Sequence, residues 1–271
     1  MESKKVYIII LNYNGWKDTI ECLNSLLSSS YENFKVVIID NCSIDNSYKE
    51  LENIVQDDKI ILIKSDFNGG YSYGNNLGIK YCKSKKDCEY IMICNNDIVF
   101  QKHTLENMVS CIEHNGNSAV SPLVLNYFDN TAVDSEGFGY INILTSQSTH
   151  KNKEDSLMYF KYLVGSIILM DINTPLMDSD YFLYYDDIDY SKKLILGGYN
   201  LIYCKDAVVY HKVSASTKLN HFIEYIKIDS MVRFYKKHYI YLLPFIVVLR
   251  LFYYLSKLRF SYIKRLFKNV F

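Results

Sequence analysis

The sequence predicts an α/β protein with a mostly parallel sheet flanked by helices and a helical C-terminal tail. Three observations carry this. Short apolar runs at 6–11, 34–40, 60–64 and 90–94 alternate with helix-like stretches near 16–29, 47–55 and 71–82, the β-α-β order of a sheet covered by helices. At 271 residues and 49% hydrophobic content the chain can bury a full core, as one large or two small domains. No Asp or Glu follows Asp229, while the last forty residues carry nine Lys and Arg, so an acidic body precedes a basic tail suited to an anionic surface.

Each strand end is polar. The first run leads to Asn12-Tyr13-Asn14, the second to Asp40-Asn41, the third to residues 66–70 and the fourth to Asn95-Asn96-Asp97. Ligands of open parallel sheets bind outside the carboxyl ends of the strands, so four ends converge on one crevice. Beyond residue 100 the pattern predicts a helix near 104–115, a strand near 119–125 and a single strand over 163–170. The polar stretch 129–156 receives no element. An aromatic run at 181–185 leads into Asp186-Asp187-Ile188-Asp189 and a helix through Leu196. Three prolines and no repeats leave no linker before about residue 239.

Asp97 places a carboxylate where solvent and ligand reach it; a turn residue or helix cap is the alternative for a lone Asp. Asp186, Asp187 and Asp189 repel one another, so at least one needs a raised pKa, a metal or a hydrogen-bond partner; N-capping of the helix is compatible with either. Asn68-Gly69-Gly70-Tyr71 with Asn75-Asn76-Leu77-Gly78 is a turn entering a helix that suits close backbone approach to a phosphate or ribose. It is neither a Walker loop nor a dinucleotide fingerprint. His211 closes the apolar run 207–210 and by itself reads as a structural histidine. Seven cysteines without a C-x-x-C pair read as reduced thiols. Residues 1–5 lead into an apolar run too short for a signal peptide, so nothing directs the chain out of the cell.

In this order the blocks resemble family 2 glycosyltransferases of the GT-A, Rossmann-like fold, and within them the rhamnosyltransferase-like branch. The likeness covers roughly residues 5–235. It rests on Ile8-Ile9-Ile10-Leu11-Asn12-Tyr13-Asn14, the segment 37–47 around Asp40-Asn41, the Asn68 to Gly78 turn and Asn95-Asn96-Asp97. It continues with Val164-Gly165-Ser166, the segment 182–189, Gly197-Gly198-Tyr199 and the segment 206–211. The resemblance implies that Leu11 and the Tyr13 ring hold a nucleotide base and that Asn41 reads its polar edge. Asn68, Gly69, Gly70, Asn75 and Asn96 complete the nucleotide-sugar site. Many relatives carry Asp at the Asn41 position, which leaves a UDP- or dTDP-linked donor open. Asp97 is the one carboxylate kept in a D-x-D-like motif; with His211 it is implied to hold Mn2+ or Mg2+, the donor diphosphate and water supplying the other oxygens. Asp187, second residue of the family's E-D motif, is implied to be the base of an inverting displacement. Asp40, Asp186 and Asp189 are given supporting roles.

In the tail, residues 239–255 are apolar but interrupted by Pro244 and Arg250, and shorter than the roughly 20 residues a spanning helix needs. From Arg250 on, Arg250, Lys257, Ser261, Lys264 and Lys268 share one helical face, and Leu251, Leu255, Leu258, Tyr262 and Leu266 another. Such a helix suits the surface of an anionic membrane; docking on the catalytic domain, or on a second subunit in a homodimer, is the alternative. The resulting expectation is a catalytic domain over 1–238 and a tail over 239–271, cytoplasmic and peripheral on the inner face of the cell membrane. It would serve cell-surface polysaccharide synthesis, passing a sugar to a glycan or lipid-linked acceptor, with no nucleic-acid partner. A non-catalytic sugar-nucleotide-binding or scaffold subunit is the rival class. A nucleotidyltransferase is disfavoured, because no Gly-rich N-terminal signature with an adjacent lysine is present.

Overall fold

The computed structural model of the chain describes residues 3–55, 57–153, 156–212 and 221–270. Its first half alternates strands and helices: β1 (Val6–Asn12), α1 (Trp16–Leu27), β2 (Phe34–Asp40), α2 (Ser47–Glu52), β3 (Ile60–Lys64), α3 (Gly70–Lys83), β4 (Tyr90–Asn95), β5 (Ile98–Phe100) and α4 (Thr104–Asn115). The second half holds β6 (Ser118–Asn126), β7 (Val133–Ser135), β8 (Phe138–Asn142), β9 (Ser148–Thr149), β10 (Tyr159–Leu163), β11 (Ile167–Asp171), α5 (Asp186–Leu196) and β12 (Asn200–His211). Three helices close the chain: α6 (His221–His238), α7 (Leu243–Ser256) and α8 (Phe260–Val270).

The main sheet runs β3-β2-β1-β4-β11-β6-β12-β5, with β7 hydrogen-bonded to β6. The β1–β2, β1–β4, β2–β3 and β6–β12 pairs are parallel, while β11 and β5 enter antiparallel. Uninterrupted runs such as Ile8-Ile9-Ile10 belong to strands covered on both faces, and all three are fully buried. Each contributes roughly 1.5–3 kcal/mol through that burial. Alternate residues feed two cores. Val6, Ile8 and Ile10 pack with Leu23 and Leu26 of α1 and Met108 of α4. Tyr7 and Ile9 pack with Ile79 of α3 and with Tyr190 and Leu194 of α5.

The expected strand over 163–170 is two strands, β10 and β11, parted at Val164-Gly165-Ser166. β10 leaves the main sheet to join β8 and β9 in a small antiparallel sheet, which also gives structure to the stretch left without an element. This small sheet and α6 to α8 enclose a third core that joins Ile141 and Tyr162 to Phe234, Ile246, Tyr254 and Leu266. The division expected at residue 238 therefore cuts through one packed cluster.

The expected amphipathic helix from Arg250 onward is broken. Leu258 takes a left-handed φ of 52° and separates α7 from α8. Arg250 turns inward to Ser146, away from the basic face assigned to it. Tyr262 and Leu266, placed on the membrane-facing side, are buried against α6, and Arg265 of α8 pairs with Asp229 of α6. Burial against α6 removes more apolar surface from water than a free helix could, so this part of the tail docks on its own domain.

Candidate active site

The β1, β2 and β4 ends supply a turn whose polar groups bind one another. Asp40 is fully buried; its carboxylate accepts from Asn12 Nδ2 at 2.8 Å and from the Ser43 amide at 3.0 Å. Asn12 in turn accepts from Thr19 Oγ1 at 2.8 Å. Asp40 thus orders the loop. Asn41 donates to Asn68 Oδ1 at 3.0 Å and to the Gly70 carbonyl at 3.1 Å, which leaves its buried Oδ1 without a partner. Only the acceptor half of this amide remains for a ligand. Asn96, assigned to the nucleotide sugar, spends its amide on the Gly15 carbonyl and Thr19 Oγ1, both at 3.1 Å. Tyr13 is exposed and Leu11 packs partly against the second core.

The close approach expected at Gly69 and Gly70 is made by protein. Gly70 has φ +82°, and a Cβ there would run into the backbone of Phe182; the Tyr71 amide donates to the Phe182 carbonyl at 2.7 Å. At Gly69 a Cβ would strike the Tyr73 ring. Asn75 is fully buried, donates to the Tyr71 carbonyl at 3.1 Å and keeps an unpartnered Oδ1.

Strand register brings Asp97 and His211 together from 114 positions apart in sequence. β12 pairs antiparallel with β5 so that His211 stands opposite Ile98, and the Lys212 amide donates to the Asp97 carbonyl at 3.1 Å. His211 Nε2 lies 3.3 Å from Asp97 Oδ1. On the ring's other side Nδ1 meets Asp134 Oδ2 at 3.0 Å. Burial pushes the imidazole pKa down, but the hydrogen bond to Asp134 and the negative charge of Asp97 and Asp134 outweigh it and raise the pKa to about 9. Asp97 Oδ1 is buried and accepts no hydrogen bond. A carboxylate oxygen facing an imidazole nitrogen whose far side is fixed by a second carboxylate fits a divalent cation that displaces the imidazole proton, and an imidazole ligand favours Mn2+ over Mg2+. Among the described residues no three His, Cys, Asp or Glu side chains form a metal-binding group, so these two would supply only part of a coordination shell. Asp134 lies in the 129–156 stretch to which sequence pattern assigns no element, and no motif marks it.

Asp186 and Asp187 open α5 directly after Tyr184 and Tyr185, whose φ values of 64° and 61° are left-handed. Two consecutive non-glycine residues in that region store backbone strain. Tyr185 is fixed through its hydroxyl to the Ser146 carbonyl at 3.2 Å. Asp187 Oδ1 accepts from the Ile188 amide at 2.9 Å and Oδ2 from the Gly165 amide at 3.4 Å. A Cβ on Gly165 would come to 3.0 Å from that of Asp187, so glycine there lets the carboxylate lie across the chain. The Tyr71 hydroxyl fixes Gly165 by donating to its carbonyl. Desolvation raises the Asp187 pKa to about 6 against the pull of these amides. Burial, then the charge of Asp187, pushes Asp186 well above the carboxylate range. Asp189 is engaged elsewhere: Lys237 at 2.9 Å and His238 at 2.7 Å tie it to α6.

A cavity of about 510 Å³ joins these groups; Tyr71, Asn95, Gly165, Asp187 and His211 line it, as do Ser146 and Arg250 on the side of the tail. The crevice lies at the carboxyl ends of a Rossmann-like sheet, and this architecture is that of the GT-A glycosyltransferases. Residues 7–173 match the model of Glycosyl transferase family 2, and the chain belongs to that family.

The chain is 28% identical over 207 residues to the low-salt glycan biosynthesis hexosyltransferase Agl10 of Haloferax volcanii, covering 73% of this chain and 64% of that one. It is 31% identical over 109 residues to the UDP-Glc:alpha-D-GlcNAc-diphosphoundecaprenol beta-1,3-glucosyltransferase WfaP of Escherichia coli, covering 40% and 41%. The chain thus spans less than two thirds of these curated relatives. The fold is that of the mannosyltransferase PcManGT of Pyrobaculum calidifontis, solved with GDP-Man and Mn2+: TM-score 0.61, 17% identity, 97% of this chain and 73% of that one.

Proposed function

We propose that this chain is an inverting, divalent-metal-dependent glycosyltransferase that moves a sugar from a nucleoside diphosphate donor to a hydroxyl of a glycan or lipid-linked acceptor. The observation that carries the reading is the single cavity that Asp187 and His211 share, with Asp97 beside His211. The acceptor hydroxyl transfers its proton to Asp187 as its oxygen bonds to the anomeric carbon. The bond from that carbon to the diphosphate oxygen breaks on the opposite side, inverting the centre. With its pKa raised to about 6, the carboxylate is ionised at neutral pH yet more basic than an ordinary Asp of about 3.9. Asp97 and His211 would hold a divalent cation, which would supply positive charge to offset that on the departing diphosphate. The free Oδ1 of Asn41 suits the imino N–H of uracil or thymine, hence a UDP- or dTDP-linked donor. The order of the motif blocks supports the finer rhamnosyltransferase-like reading, and the printed name of Agl10 supports a role in glycan biosynthesis.

A panel of UDP-, dTDP- and GDP-sugars, dTDP-rhamnose included, with and without Mn2+, tests this through nucleoside diphosphate release and thermal stabilisation. Manganese-dependent release is expected. Stabilisation by a donor with no release, even with acceptor extracts present, would replace the enzyme with a sugar-nucleotide-binding subunit.

Contact with a membrane face belongs to the same proposal. No helix among the described residues is long and apolar enough to cross a membrane. Phe245, Val248, Phe252, Leu258 and Phe260 are exposed in a tail that also exposes Lys257, Lys264 and Lys268, the mixture that binds anionic lipid surfaces. Co-sedimentation with phosphatidylglycerol vesicles is expected and should fall on Phe252→Asp. Binding that ignores the substitution would remove the tail from this role and leave a second copy of the chain as its occupant.

A further inference from the structure

We infer that the acceptor carries a phosphate group and that Arg250, on the inner face of α7, receives it; this rests on the glycosyltransferase reading and names the acceptor class. Arg250 lines the cavity that Asp187 lines. Its described hydrogen bonds all go to Ser146: Nε to Oγ at 3.0 Å, and Nη2 to the carbonyl at 3.2 Å and to Oγ. Nη1 makes none of them, so two N–H donors and the full charge are unspent. No ion pair joins it to a carboxylate among the described residues, Asp186 and Asp187 included.

The surroundings make an unpaired cation costly. Ile141, Met231, Tyr185 and Tyr254 line the same cavity, and a half-buried charge among such groups is expensive without a counter-ion. The guanidinium is also fixed before any ligand arrives. Ser146, at φ 56°, is held by Arg250 and through its carbonyl by the Tyr185 hydroxyl. A planar fork held with two donors free is the arrangement that binds a phosphate.

Some neighbours add positive charge and hydroxyl donors beside the carboxylates Asp186, Asp187 and Glu224 that line the same cavity. Lys227 and the hydroxyl-bearing Ser148 line the cavity; Lys227 shares its charge with Glu224 at 3.5 Å and sits 4.7 Å over the Tyr184 ring. His150, which also lines the cavity, donates from Nδ1 to the Asp134 carbonyl at 2.8 Å. About 510 Å³ lies within the roughly 300–1,000 Å³ of ordinary ligand sites. A neutral acceptor would leave the Arg250 guanidinium without an ion-pair partner among the described residues. A phosphate on the sugar that precedes the attacked hydroxyl would compensate it while the hydroxyl reaches Asp187.

The test titrates the intact protein with phenyl phosphate and with phenol, with and without saturating UDP and Mn2+, by calorimetry. Binding of phenyl phosphate but not phenol is expected, weakened by about tenfold or more in Arg250→Met and less in Arg250→Lys, which keeps the charge without the fork. Melting temperature and UDP binding report whether each variant is folded; Lys227→Met is a second variant and should weaken the phosphate arm by a smaller factor. Equal affinity for phenol, or phosphate affinity that neither Arg250 variant alters, would overturn the proposal. UDP binding without phosphate binding rejects the acceptor class alone. Failure of every nucleotide to bind rejects the glycosyltransferase reading, and the phosphate titration without UDP still decides on Arg250.

Discussion

On the β1–β2 side of the crevice, polar side chains are consumed by one another: Asp40 by Asn12 and Ser43, Asn41 by Asn68, Asn96 by Gly15 and Thr19. On the α5 side, two left-handed tyrosines precede carboxylates of raised pKa, and the cavity wall ends in an arginine whose hydrogen bonds among the described residues all go to a serine. The first side is a cradle that leaves the Asn41 and Asn75 Oδ1 acceptors over; the second keeps its charges under tension. Recognition profits from the former because little entropy is lost on binding, and chemistry profits from the latter because a group poised near neutrality can exchange a proton.

The largest break in this contrast is expected at Asp187. Asp187→Asn should lower turnover by about 10²- to 10⁴-fold while nucleotide binding persists, read as diphosphate release against calorimetric UDP titration; near-normal turnover would remove Asp187 as the base. In the unaltered protein the rate should fall about tenfold per pH unit below about 6, because the base must be ionised and its pKa is raised to about 6. A rate unchanged down to pH 5 would assign proton acceptance elsewhere.

Asp97 tests the cradle's edge. Asp97→Asn should weaken manganese-dependent nucleotide binding by about 10- to 100-fold and leave metal-free nucleotide binding in place. Equal losses with and without Mn2+ would make Asp97 a structural residue.

The smallest effects concern stability, and they should have opposite signs. Asp40→Ala leaves Asn12 and Ser43 donors unsatisfied in a buried turn and should cost about 1–3 kcal/mol, read from urea unfolding. Asp186 has its folded pKa raised, so its contribution to stability is full below the unfolded value near 4 and is lost as pH rises toward the folded one. Asp186→Asn removes that loss. The variant should therefore gain on the natural protein between pH 4 and pH 7, and a constant difference across that range would mean that Asp186 titrates normally.

Sequence pattern and structure agree most closely where local chemistry suffices. Four apolar runs became β1 to β4, because parallel strands covered on both faces must be continuously apolar, and the turn placing Asp97 after β4 followed from them. The 129–156 stretch was illegible because β7 to β9 are only two to five residues long and depend on partners far along the chain. Asp134 and His150 were invisible for the same reason. The basic face drawn through Arg250 assumed one unbroken helix, and the left-handed Leu258 ended that assumption.

The sequence by itself determined the layered α/β body, the polar strand ends and the acidic cluster at 186–189, since each is a property of neighbouring residues. Only tertiary structure decided which of those groups meet. The β5–β12 register set His211 against Asp97, Gly165 made room for Asp187, and the packing of α7 set Arg250 against Ser146. Such meetings depend on strand register, close backbone approach and helix breaks, and these are settled by the packing of the whole core rather than by any local run of residues.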